Sequence, residues 1–118
     1  MKKTILLTLL VFGLMSSACE SQKSTYKNLR EALKKPDTVH RLELDKQKRK
    51  NLPPEIGKFT QLTDLNLSSN QLTQLPVEIG KLTQLIYLDL SSNQLTQLPP
   101  EIGKLTKLRR LNLSGNQL

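Results

Sequence analysis

The chain has 118 residues, which is enough for one domain, or for one domain and a short tail. Leucine contributes 26 of them and aromatic residues only 3%, and the formal net charge is +8. A single Cys and a single His exclude a disulfide framework and a four-Cys zinc site, and they argue against a Ser-His-Asp triad. The positive charge favours weak attraction to anionic partners and no more.

Residues 1–18 have the pattern of an export signal. Two lysines precede an apolar run at 4–15, which is too short for a bilayer-spanning helix of about 20 residues. Small residues then lead to Cys19. This arrangement resembles a bacterial lipoprotein signal in its relaxed, spirochaete-type form, because Ser16 stands where most lipoboxes carry Leu. The resemblance implies cleavage before Cys19 and attachment of a diacylglycerol to its thiol; an ordinary secretory signal cut near Ala18 is the alternative.

The next segment is a polar lead-in to the main domain. Residues 19–25 are short and polar, and we predict that they form a tether behind the lipidated Cys. A helix is predicted from Tyr26 to Lys34, with Thr25 as its N-cap and Pro36 ending it. Its apolar face consists of Leu29, Ala32 and Leu33. We expect residues 26–38 to form an N-terminal capping helix over the domain that follows.

Residues 39–118 repeat with a period of 23. The repeat comprises three full units, 39–61, 62–84 and 85–107, and a partial unit at 108–118. The consensus, L-x-x-L-x-L-x-x-N-x-L-x-x-L-P-x-E-I-G-K-L-T-x, resembles that of the leucine-rich-repeat family. The resemblance implies an α/β solenoid in the shape of a short horseshoe arc. It would have one parallel strand per repeat on the concave face and short helical or 3₁₀ turns on the convex face. The L-x-L pattern agrees, because alternate residues of a strand point to the same side.

One asparagine recurs at the same place in successive units: Asn70, Asn93 and Asn116. A chain that turns away from a strand leaves backbone N–H and C=O groups inside the solenoid, and a carboxamide can satisfy both kinds. We therefore predict a structural asparagine ladder rather than a ligand site.

The first unit departs from this pattern. Gln47 replaces the ladder asparagine, and Arg49 stands where the other units have Leu. Lys46, Lys48, Arg49 and Lys50 form a basic cluster there. A solvated loop is the favoured interpretation, and contact with polyanions such as sulfated glycans or anionic headgroups is the alternative.

The side chains that flank the strand leucines would form a concave binding face in two columns. The members are Arg41, Glu43, Asp64, Asn66, Tyr87, Asp89, Arg110 and Asn112. Tyr87 is the only aromatic residue expected there, and an aromatic beside Arg and Asp is typical of a protein-contact patch. A merely solvated sheet face is the alternative. Asp64 and Asp89 fall in different columns, so no metal site is predicted, and no cofactor is implied.

These patterns predict a non-enzymatic binding module on an exported, membrane-anchored lipoprotein, with a protein or glycan partner and no nucleic-acid partner. An outer-membrane or cell-surface location is favoured over the periplasm. The alternative is a truncated repeat protein whose uncapped C-terminal edge self-associates or stacks on another chain. That edge would consist of Leu108, Leu111, Leu113 and Leu118.

Overall fold

The computed structural model describes residues 24–118. The predicted signal peptide (1–18), the lipidation site Cys19 and most of the tether lie outside the described residues. The strands are β1 (Thr25–Tyr26), β2 (Arg41–Glu43), β3 (Asp64–Asn66), β4 (Tyr87–Asp89) and β5 (Arg110–Asn112). One short α-helix, α1 (Leu29–Ala32), follows β1. The 3₁₀ helices are η1 (Pro36–Thr38), η2 (Pro54–Lys58), η3 (Val77–Lys81) and η4 (Pro100–Lys104). None of the helices within 24–118 has the length and apolarity needed to cross a bilayer.

The five strands form one parallel sheet in the order β1-β2-β3-β4-β5, which is also their order along the chain. Leu42 pairs with Leu65, Leu65 with Leu88, and Leu88 with Leu111, so that equivalent residues of consecutive units lie side by side. Each return from one strand to the next passes through a 3₁₀ helix on the opposite side of the molecule. This arrangement confirms the predicted solenoid.

The core is a stack of aliphatic layers between the sheet and the 3₁₀ helices. The layer of the second unit shows its composition, with every member at most 6% exposed: Leu62, Leu65, Leu67, Leu72, Leu75, Ile79 and Leu82. Each such side chain contributes about 1.5–3 kcal/mol when it leaves water. Because these layers face each other across unit boundaries, each unit buries its leucines only when a neighbour is present.

Glycine in the 3₁₀ helices sets how closely the units stack. A Cβ added to Gly80 would lie 2.9 Å from the Glu101 Cβ and 3.0 Å from the Glu101 carbonyl oxygen of the next unit. At Gly103, in the last 3₁₀ helix, an added Cβ would meet nothing within 4 Å. The Ile-Gly pair of the repeat is therefore a packing requirement wherever another unit follows.

The N-terminal cap differs from the prediction. Thr25 does not cap a helix; instead it pairs in β1 with Arg41 of β2. The helix begins later, at Leu29, where the Asn28 Oδ1 accepts hydrogen bonds from the backbone N–H groups of residues 30 and 31 at 2.9 and 3.3 Å. The predicted start at Tyr26 was wrong because the backbone edge of β2 takes a strand partner, and Asn28 then supplies the cap.

The apolar face of the cap nevertheless lies against the core. Leu29 is 6% exposed and Ala32 is fully buried, while Tyr26 and Leu33 pack against the core and are partly buried. The predicted helix end was also wrong: α1 ends at Ala32, before Lys34, and Pro36 does not end it but begins η1. The cap therefore combines a short strand, one helical turn and a 3₁₀ turn.

Candidate binding face on the sheet

The outward side of the sheet carries the eight residues predicted as a binding face, and we call it the sheet face. The strand register places them in two columns. The first column is Arg41, Asp64, Tyr87 and Arg110, and the second is Glu43, Asn66, Asp89 and Asn112. All eight are exposed or half-buried, whereas Leu42, Leu65 and Leu88 between them are buried. The structure therefore brings the predicted residues together on one surface.

The first column begins with an ion pair. The Arg41 Nε lies 3.5 Å from the Asp64 Oδ2, and their side chains are 49% and 38% exposed. A pair this open to solvent contributes about 0–1 kcal/mol to stability. The ion pair therefore contributes little to the stability of the fold, and its main effect is to orient the two side chains on the sheet face.

Tyr87 is fixed in place by its neighbour on the same strand. Its hydroxyl donates to the Asp89 Oδ2 at 3.0 Å, which residues two apart on a strand can do because they share a side of the sheet. Burial raises the pKa of Tyr87, and the hydrogen bond and the negative charge of Asp89 raise this pKa further, against the opposing effect of Arg110. The phenol therefore stays protonated at neutral pH and presents a neutral ring held in a defined position.

The second column has a structural task that sequence reasoning missed. The Asp89 Oδ1 accepts hydrogen bonds from the backbone N–H and the hydroxyl of Ser91, at 2.9 and 2.6 Å. Asn66 and Asn112 accept the equivalent pairs from the serines two residues after them. The recurring Asn/Asp-Leu-Ser triplet was the available signal. These three side chains close the end of each strand, so their oxygens are partly occupied.

The predicted asparagine ladder lies inside the turns that follow the strands, at Asn70, Asn93 and Asn116. For Asn93, the Nδ2 donates to the carbonyl oxygens of Leu67 and Leu90, both at 3.0 Å, and the Oδ1 accepts from the backbone N–H of Leu72 at 3.1 Å. Each asparagine thus bonds its own unit to the preceding one. The three are linked through shared backbone carbonyls rather than by direct contact.

An apolar position beside Tyr87 was also missed. Ile86 immediately precedes β4 and is 37% exposed, where the equivalent residues of the neighbouring units are Thr63 and Arg109. It lines a shallow hollow together with Thr106, Lys107, Leu108 and Arg109. The sequence signal was the Ile-Tyr pair, at the place where the other units carry polar or charged pairs. Ile86 is therefore an exposed apolar side chain directly before Tyr87 in the chain.

The predicted C-terminal edge lies around β5. Leu111 is 41% exposed and Leu118 is 56% exposed, while Leu108 and Leu113 are partly buried against the core. This edge is the most exposed group of leucines in the described part of the chain.

A family model described as a leucine-rich repeat region matches residues 13–118. The chain belongs to the leucine-rich repeat family. Among solved structures it is similar to a leucine-rich repeat protein of Leptospira interrogans, at 31% sequence identity over 79% of this chain and 36% of that chain, with a TM-score of 0.42. It is also similar to an internalin of Listeria monocytogenes, at 24% identity over 68% of this chain and 21% of that chain, with a TM-score of 0.52. No curated protein matches the chain.

The chain spans less than half the length of either solved structure. The likeness to the internalin agrees with the solenoid fold. Leucine-rich repeat domains are typically non-enzymatic protein-interaction modules. Among residues 24–118, no group of three or more His, Cys, Asp or Glu side chains is placed to hold a metal ion.

Proposed function

We propose that this leucine-rich repeat chain binds a partner protein through the sheet face, centred on Tyr87. The observation that carries the proposal is Tyr87, a half-buried ring bonded to Asp89 within a surface of charged and polar side chains, with the exposed Ile86 directly before it in the chain. Tyrosine is enriched among residues that dominate binding energy, especially where it is central and surrounded by polar contacts. The bond to Asp89 restricts the ring before binding, which lowers the entropy lost on association.

The charges around Tyr87 define the chemistry of the partner. Arg109 and Arg110 are exposed beside it, and neither has a carboxylate within ion-pair distance among the described residues. The complementary surface is an apolar side chain seated on the ring of Tyr87, with a carboxylate facing the two arginines. A glycan partner would use the same tyrosine ring and arginines.

The export signal and Cys19 add a location to this proposal. We propose that the chain is exported and anchored in a bacterial membrane through a lipid on Cys19, with the repeats at the outer membrane or cell surface. The basic start, the short apolar run and the small residues before the Cys support it. Metabolic labelling with an alkyne fatty acid tests this part. We expect label on the wild-type chain and none on Cys19→Ser. An unlabelled wild-type chain would refute lipidation and favour the alternative, an ordinary secretory signal cut near Ala18.

A photo-crosslinking residue at position 87 or 86, in cells that produce the protein, tests the binding face. The matched control places the same residue at Lys81, on the side of the 3₁₀ helices. We expect one discrete protein adduct at positions 86 and 87 and none at position 81.

Once the partner protein has been identified from the adduct and purified, its affinity for variants of this chain can be measured. Tyr87→Ala should weaken the binding of the partner about 30-fold, in keeping with a central hot spot. Val77→Ala, which removes a side chain that is 56% exposed away from the face, should leave the affinity unchanged. Equal crosslinking at all positions, or equal losses from both alanine variants, would refute the assignment.

Self-association is a second candidate, favoured by the exposure of Leu111 and Leu118. In this case two copies would cover each other's β5 edge. Mass measured by light scattering over a hundredfold range of concentration should then rise in the wild-type chain and stay constant in Leu111→Gln. A constant monomer mass in both would exclude this candidate.

A further inference from the structure

The turn after β2 differs in charge from every other turn of the solenoid. In units two and three this turn reads Ser-Asn-Gln-Leu-Thr, at 69–73 and 92–96. In unit one the same five positions read Lys-Gln-Lys-Arg-Lys, at 46–50. Leu72 and Leu95 are fully buried, whereas Arg49 at the equivalent position is only half-buried. The first unit has therefore exchanged a core leucine for a cation and gained three lysines around it.

This turn has a fixed backbone. Lys46 and Lys48 both have a φ of 54°, in the left-handed region, which costs energy for a residue with a Cβ. The N–H groups of Gln47 and Arg49 donate to the Asn70 Oδ1 at 3.1 and 3.0 Å. The Arg49 carbonyl accepts from the N–H of Gln71 at 2.8 Å. The second unit thus bonds the backbone of the basic turn at three points.

Among residues 24–118, no carboxylate forms an ion pair with a cation of the turn. Within residues 24–118 the ion pairs are Lys34 with Glu31 and Arg41 with Asp64, and neither involves the turn. Arg49 lies across a shallow hollow from Arg30 of α1, over a floor that includes Leu29 and Leu33. The turn and the cap therefore form one surface, which we call the basic end: Arg30, Lys46, Lys48, Arg49 and Lys50.

The positive charge of the described chain is concentrated at this end. Residues 24–50 contain nine Lys and Arg against four Asp and Glu, whereas residues 51–118 contain six against five. The repeats beyond the first are nearly neutral, so the positive electrostatic potential of the described residues is strongest at the N-terminal end of the solenoid.

We propose that the basic end docks on the anionic phospholipid headgroups of a membrane. Arg30 and Arg49 suit phosphate, because a guanidinium donates two parallel hydrogen bonds to its oxygens. The lysines add attraction that reaches about 8 Å at physiological salt. The inference rests on the membrane anchor of the proposed function. The five peptide units between Ser24 and Cys19 reach at most about 18 Å, which keeps this same end of the solenoid near the lipid.

Docking at this end sets the direction in which the sheet is presented. The strands follow one another away from the cap at about 4.8 Å per strand. With the basic end on the membrane, Tyr87 of β4 lies about three strand spacings, ~14 Å, beyond β1. In this proposal the lipid on Cys19 keeps the protein at the membrane, and the basic end determines the orientation of the sheet face relative to the membrane surface.

The test compares two variants of the full chain that lose the same charge. The turn variant carries Lys46→Ser, Lys48→Gln, Arg49→Leu and Lys50→Thr, which gives unit one the residues of unit two. The control carries Lys58→Gln, Lys81→Gln and Lys104→Gln in the 3₁₀ helices η2 to η4, and Lys107→Gln before β5, all of them outside the basic end. Both keep residues 1–23, so any contribution of that segment to lipid binding is common to all samples. Binding is measured by co-sedimentation with phosphatidylcholine vesicles, with and without phosphatidylglycerol, at about 0.15 M salt.

We expect the wild-type chain to prefer the anionic vesicles. Each cation near an anionic surface strengthens binding about fivefold, so the turn variant should lose ~100-fold or more on anionic vesicles and the control less than ~5-fold. Thermal unfolding followed by circular dichroism establishes that the variants fold. The smaller variant Lys46→Ser with Lys50→Thr, which retains Arg49, should lose about 25-fold.

Several results would overturn the proposal. Equal losses in both four-site variants would mean that only net charge matters, and equal binding to both kinds of vesicle would remove the role of anionic lipid. Tight binding to a soluble sulfated polysaccharide that displaces the protein from vesicles would assign the turn to a glycan instead. Tyr87→Ala should bind vesicles as the wild-type chain does, so failure of the sheet face as a protein-binding site would leave this assay unchanged.

Discussion

Replacing Asn93 by Ala isolates the contribution of the asparagine ladder to folding. The substitution removes the Nδ2 hydrogen bonds to the carbonyl oxygens of Leu67, Leu90 and Ser91 and the bond accepted from the N–H of Leu72. The three carbonyls each keep another donor: Asn70 also reaches Leu67, Asn116 also reaches Leu90, and the N–H of Ser69 donates to Ser91. The N–H of Leu72 has no replacement and stays buried, so it is the one orphaned group.

The expected cost follows from the two hydrogens of Nδ2, which serve the three carbonyls, and from the orphaned N–H. Each of the two lost Nδ2 bonds costs about 0.5–1.5 kcal/mol, and the orphaned N–H costs about 1–3 kcal/mol, so Asn93→Ala should destabilise the fold by about 2–6 kcal/mol. The same change at Asn116 should cost less, because Asn116 itself is only half-buried, so water can reach the groups that it leaves without a partner. Asn93→Asp should be no milder than Ala, because a carboxylate accepts from Leu72 but repels the carbonyls.

Urea denaturation of the full chain, followed by circular dichroism, measures these differences. Gln94→Ala is the control, since the Gln94 side chain is exposed beside Asn93 and should change the free energy of unfolding by no more than about 0.5 kcal/mol. The reasoning would be refuted by a loss below about 1 kcal/mol for Asn93→Ala, or by a loss no larger than that of Asn116→Ala.

Two further predictions concern stacking and the sheet face. Gly80→Ala should destabilise the fold by about 1–3 kcal/mol, because the added Cβ would lie 2.9 Å from the next unit. Gly103→Ala has open space around it and should be neutral or stabilising by up to about 1 kcal/mol. Equal midpoints of urea unfolding for the two variants would contradict this reasoning. In a Tyr26→Phe background, the ultraviolet absorbance of Tyr87 should titrate above its ordinary pKa of 10.0, and Asp89→Asn should lower that pKa. Because the folded state raises this pKa, its contribution to stability is complete below pH 10 and is lost as the pH rises through the folded pKa. A titration that Asp89→Asn does not move would disprove the role of the hydrogen bond.

The repeats were predictable because their environment recurs. Leu42, Leu65, Leu88 and Leu111 occupy the same position of each unit, so the sequence period also determined the strand register. The columns of the sheet face follow from that register. Their use as a binding site is our proposal, which the crosslinking experiment tests.

The single-copy parts of the molecule were harder to predict. The cap has no second copy in the chain, and its residues suit a helix from Tyr26 as well as a strand followed by a helix. Pairing with β2, which lies 16 residues further along, decided between the two. The contact between Tyr87 and Asp89 depends on side-chain torsion angles, which the repeat period does not specify. The exposure of Ile86 depends on its position just outside β4. These features became visible only in three dimensions.

The way each asparagine bonds has a consequence for how such a protein changes during evolution. Asn93 reaches back only as far as the unit before it, and no ladder bond crosses more than one junction. Duplicating or deleting one 23-residue block would therefore rebuild a single junction and leave all others as they are. Each added block would lengthen both surface columns by one residue that is free to vary. Unequal recombination within such a gene can then add or remove whole repeats of the sheet face, without passing through a variant whose hydrophobic core is lost.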